Sequence, residues 1–114
     1  MLTLEKMKAI GIDPKDGLAR CMNNEAIYFR LIGMAAGDAA FDRLEAAMAA
    51  GDLDAAFAAA HALKGMLGNL GMEPLYRPAS ELTELLRHKS PGDYGALART
   101  ILERRAALKA MIEE

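Results

Sequence analysis

His61 is the residue of this 114-residue chain best suited to do chemistry. An imidazole titrates near neutrality, so an exposed one offers a neutral, nucleophilic nitrogen at cellular pH. It lies in the run from Phe57 to Gly71, which also contains Lys64, Gly65 and Gly68. On a wheel of about 100° per residue, Leu53, Ala56, Ala60, Leu63, Leu67 and Leu70 gather on one side and are expected to face a core. His61, Lys64, Gly65 and Gly68 gather on another, centred roughly 130° away. The histidine should therefore point outward, with a lysine one turn on and two glycines beside it. Each glycine inside a helix costs about 1 kcal/mol relative to alanine. Alanine is used freely all around them, so helix formation does not explain their presence. A surface bare of side chains beside His61, open to close approach by another protein, does. The wheel sets both glycines off the core face, which argues against a role in helix packing. Taken singly, a surface histidine or lysine is most often just solvated; the combination on one face carries the signal.

Other chemistries fit poorly. A di-metal site in a helical bundle needs Glu-x-x-His pairs, but residue 58 is Ala58 and residue 85 is Leu85, three before His61 and His88. His88 falls in a last helical turn, suited to the helix dipole or to pairing with Glu84. No glycine-rich phosphate loop and no kinase-type nucleotide site is present. Cys21 is the only cysteine, so an internal disulfide and a thiolate cluster are both excluded and a reducing compartment is expected. The formal net charge of -2 gives no basic field for nucleic acid. Met1 to Lys6 does not read as a signal segment. The alanine-rich run Ala55 to Ala62 is far short of a membrane span of about 20 residues.

The elements that must position His61 are helices. Valine and tryptophan are absent and alanine is abundant, a composition that favours helix over strand. Short helices are expected over Thr3 to Ile10 and Pro14 to Met22, the second with Asp13 as N-cap and Pro14 in the first helical position. Asn23-Asn24 should cap a segment over residues 24–50, broken at Gly37-Asp38. Gly51-Asp52 opens a helix from Leu53 to Leu70, closed by Gly71. Further helices are expected over 74–89 and 91–111, the last capped at Ser90 by the pattern Ser90-Pro91-Gly92-Asp93. Short connections force antiparallel neighbours. The expected fold is all-α, an antiparallel up-down four-helix bundle over 24–112, with short extra N-terminal helices in 1–23, all in a single domain.

His61-Ala62-Leu63-Lys64-Gly65, followed by Leu70-Gly71, resembles the signature of histidine-containing phosphotransfer (HPt) domains, and helix order and chain length agree with it. The resemblance implies that His61 is phosphorylated through Nε2, that Lys64 offsets the phosphoryl charge, and that Gly65 keeps the space beside the imidazole open. Asp54, Phe57, Ala58 and Gly68 would belong to the docking surface. The partners implied are response-regulator receiver domains and hybrid histidine kinases of a phosphorelay, the receiver supplying aspartate and Mg²⁺. The domain itself would need no cofactor, metal or nucleotide. A soluble, cytoplasmic monomer is expected, with no nucleic-acid or membrane partner. It would be either a free-standing carrier or a piece of a hybrid kinase. The alternatives are a phosphorylation-independent docking or inhibitory module, and a helical scaffold whose eight methionines and alanine-rich faces serve dimerisation.

Overall fold

A computed structural model describes residues 1–114. The chain forms seven helices and no strand: α1 (Leu4–Ala9), α2 (Lys15–Arg20), α3 (Glu25–Ala36), α4 (Ala39–Ala50), α5 (Leu53–Asn69), α6 (Glu73–Arg87) and α7 (Tyr94–Ile112). Side chains supply most of the starts. Thr3, Asn24, Asp38, Asp52 and Asp93 each accept a backbone N–H from the first turn they precede, satisfying donors that have no partner inside the helix. At the other end, Gly51 closes α4 in the left-handed conformation, which glycine adopts without the strain a Cβ brings.

Helices α4 to α7 form the four-helix bundle, each packed on the next, with α7 returning to α4. Its centre holds Phe41 and Leu44 of α4, Leu63 and Leu67 of α5, Leu75 and Leu82 of α6, and Ile101 and Leu108 of α7, all essentially inaccessible. Helix α3 packs on α7, and α2 on α3. The break at Gly37-Asp38 makes α3 and α4 separate helices. Arg105 of α7 braces that break: Nε donates to the Ala36 carbonyl at 2.7 Å and the guanidinium lies over the Phe41 ring. No helix is long and apolar enough to cross a membrane.

Three local readings change. Ser90 does not cap α7; the helix starts at Tyr94 with Asp93 as its cap. Lys89 takes a positive φ after α6, and the Ser90 carbonyl is taken by the Tyr94 hydroxyl, so Pro91 and Gly92 are spent in the turn. Pro14 sits one place earlier than expected, at the N-cap position of α2, while the Asp13 carboxylate still receives the Lys15 N–H at 3.0 Å. Leu53 is 46% exposed rather than core-facing, because the first turn of α5 projects past the end of the apolar layer. Leu70 is half-buried.

Helix α6 carries a proline inside it, Pro78. Proline has no N–H to give the carbonyl four residues back, which is that of Pro74. Arg104 of α7 donates to that carbonyl instead, so the interruption is mended from the neighbouring helix.

Helix α2 is fixed to the far end of α5. Gly17 is buried against Tyr28. The Tyr28 hydroxyl donates to the Leu70 carbonyl at 2.7 Å. A Cβ on Gly17 would lie 2.7 Å from both the Leu70 oxygen and the Tyr28 Cζ. Gly17→Ala is therefore expected to lower stability by about 1–3 kcal/mol, measured by urea unfolding; an unchanged midpoint would show that α2 is not held there. Burial pushes the Tyr28 phenol up to about 12, with the charges of Cys21 and Asp13 adding to the effect. A folded-state value above the ordinary 10.0 favours the protonated form. That contribution is whole below pH 10 and is lost as pH rises from 10 toward 12. The wild type should lose more stability than Tyr28→Phe between pH 9 and 11, and parallel melting curves across that range would contradict it.

Candidate functional site

The apolar stripe of α5 turns Ala56, Ala60, Leu63 and Leu67 into the core. That orientation leaves His61 exposed on the outer face, as the wheel predicts. Phe57, one turn earlier, meets the imidazole edge-on with ring centroids 5.6 Å apart. The Arg87 guanidinium of α6 lies over the Phe57 ring, 5.1 Å from its centroid. Lys64, one turn after His61, sends Nζ to Glu84 Oε1 of α6 at 3.2 Å. The second carboxylate oxygen of Glu84 faces Arg87 Nε at 3.4 Å and His88 Nε2 at 3.6 Å. The hydrogen bond from Lys64, and then the charges of Arg87, Lys64 and His88, hold Glu84 below the usual carboxylate range against an opposing effect of burial.

The two glycines part company. A Cβ built on Gly65 would have nothing within 4 Å, so the surface there is open. A Cβ on Gly68 would stand 2.9 Å from Cε1 of the Tyr76 ring. Gly68 thus makes room for a side chain of α6, a packing role that the wheel of α5 alone argues against. Both glycines still line one open hollow of about 490 Å³ with His61, Lys64, Arg20 and Tyr76.

Of the other residues expected at the docking surface, Ala58 is exposed but lines a separate groove between α4 and α5, with Arg43 and Ala55. Asp54 is exposed in the first turn of α5. A hollow of about 560 Å³ between α1, α6 and α7 is larger than the one at His61. It contains no nucleophile, and its Arg77 and Arg104 are engaged by Glu73 and the Pro74 carbonyl.

Two residues at this face escape a reading of the sequence. Arg20 of α2 donates through Nη1 to the carbonyls of Gly68 and Asn69, at 3.0 and 2.8 Å. These belong to the last turn of α5, where carbonyls lack helical partners. Nothing local to Arg20 announces this, since the contact spans nearly fifty residues. Arg87 was more accessible: Glu84, Arg87 and His88 stand at the i, i+3, i+4 spacing of one helix face. Chemically, the face presents an accessible imidazole, a lysine one turn away, and a neighbouring surface bare of side chains.

Comparison with known families finds one match, a family model described as the Hpt domain, over residues 34–114. The matched stretch runs from within α3 to the C-terminus and takes in every residue that lines this hollow except Asp16 and Arg20. No curated protein and no solved structure matches the chain.

Proposed function

The chain belongs to the Hpt domain family, the histidine phosphotransfer domains of two-component signalling, and from that premise we propose that it is a phosphorelay carrier that takes up and passes on a phosphoryl group at His61. The observation that carries this reading is the pairing of an exposed His61 with open space at Gly65. A receiver domain can bring its aspartyl phosphate to the imidazole there without meeting a side chain at position 65.

The lone pair of Nε2 attacks phosphorus as the aspartyl O–P bond breaks. The departing electron pair stays on the carboxylate, and the proton on Nδ1 stays on the ring. Onward transfer is the reverse step, with a second receiver's carboxylate as acceptor. Phosphoryl transfer depends mainly on alignment and charge stabilisation, so this chain has little to add beyond presenting the nucleophile in a fitting shape. Lys64 offsets the arriving charge. Phe57 steadies the ring by its edge contact and, with Asp54, Ala58 and Gly68, extends the surface a receiver domain or hybrid kinase would cover. We read the N-terminal helices and the bundle as one domain, acting as a cytoplasmic monomer.

The test is to mix the protein with a phosphorylated receiver domain and map the label by mass spectrometry. Acid-labile, base-stable label on His61 is the expected result. Tight binding without any label would favour the phosphorylation-independent docking module instead.

A further inference from the structure

Lys64 already has a partner. Its ammonium donates to Glu84 across the seam between α5 and α6, and the other oxygen of the same carboxylate faces Arg87 and His88. One carboxylate thus draws together Lys64, Arg87 and the His88 ring. A phosphoryl group on His61 would bring up to about two negative charges into the neighbourhood of the same lysine, one helical turn away. There would then be two anionic acceptors and one ammonium.

Building on the carrier reading, we propose that Glu84 is a positioning residue that competes with the phosphoryl group for Lys64 and thereby keeps the phosphohistidine ready to transfer. In the resting chain the ammonium is held by Glu84. When the N–P bond forms and the aspartyl O–P bond breaks, Lys64 turns to the phosphoryl oxygens, and Glu84 keeps Arg87 and His88. When the N–P bond breaks and a new O–P bond forms on the acceptor, the ammonium returns to Glu84. The return contact favours the empty carrier and so narrows the free-energy gap between the loaded and empty states. Without the carboxylate, Lys64 serves the phosphoryl group alone and the loaded state gains.

Glu84→Gln keeps the size of the side chain and removes its charge. The readout is the equilibrium constant between a phosphorylated receiver domain and this protein, approached from both directions. A shift of about fivefold toward phosphohistidine is expected, the scale of one partly exposed ion pair. In a Lys64→Met background the same replacement should shift the equilibrium by less than about twofold, since the competition is gone. An unmoved equilibrium would overturn the proposal, including the case where only the melting temperature falls, which would make Glu84 merely structural. Equal shifts in both backgrounds would overturn it too, because Glu84 would then act by its own field and not through Lys64. Failure of the wild type to take label at His61 would instead bring down the carrier reading, so the two failures are distinguishable.

Discussion

His61→Gln is expected to take no label from a phosphorylated receiver domain while melting within a few degrees of the wild type. The chemical half of this expectation is absolute. An amide nitrogen has no lone pair available to attack phosphorus, and no other imidazole stands nearby on α5. His88, the second histidine, lies at the end of α6 beside Glu84. The structural half follows from exposure. His61 is exposed, and its ring packs in a T-shaped contact with Phe57. Losing such a contact costs about 0.5–1.5 kcal/mol at most, and glutamine is a good helix former. Circular dichroism should therefore show the same helix content. A variant that unfolds would make His61 a structural residue, and one that still takes label would move the acceptor elsewhere.

Gly65→Gln is expected to move stability and transfer in opposite directions. No heavy atom beyond the local helix backbone lies within 4 Å of a Cβ at this position, so the added Cβ meets no clash in the free protein. Removing a glycine from the interior of a helix is worth about 1 kcal/mol, which for a domain of this size raises the melting temperature by roughly 4 °C. The added side chain then stands one turn from His61, in the space through which a receiver must approach. Misplacing reacting groups by about 1 Å is enough to cost on the order of a hundredfold in rate, and that is the loss expected here. Gly68→Ala makes the contrast, since its Cβ must displace the Tyr76 ring and no such gain in stability should appear. Transfer by Gly65→Gln within threefold of wild type would show that the open surface is not the approach path.

The opposite behaviour of the two glycines shows what a sequence can and cannot tell. The helical wheel of α5 correctly separates core from surface, because Ala56, Ala60, Leu63 and Leu67 obey one period set by one buried face. His61, Lys64 and Gly65 are legible for the same reason. Gly68 is not, because what fills its place is Tyr76 from α6, and a single wheel carries no information about the neighbouring helix. Arg20 is hidden for the same kind of reason, reaching α5 from another element. Leu53 shows a different limit: periodicity tells which side of a helix is apolar but not where along the axis the core ends. At Ser90 two capping residues compete within four positions, and the left-handed turn at Lys89 decides for Asp93. The glycine and aspartate pairs at 37–38 and 51–52 were readable because both break and restart lie in adjacent residues.

The carbonyls that end α5 are held from outside the stretch the family shares. The Gly68, Asn69 and Leu70 carbonyls accept side-chain donors from Arg20 and Tyr28, whereas the family match begins at residue 34. The bonded unit at this end of α5 therefore extends beyond the matched stretch. Local unfolding proceeds in such units, and the parts that share bonds open together. Whatever loosens α2, whether a substitution at Gly17 or tension on the residues before it, also loosens the last turn of the helix that carries the histidine. The N-terminal helices are a handle on that turn, and amide exchange along α5 should report a pull applied there.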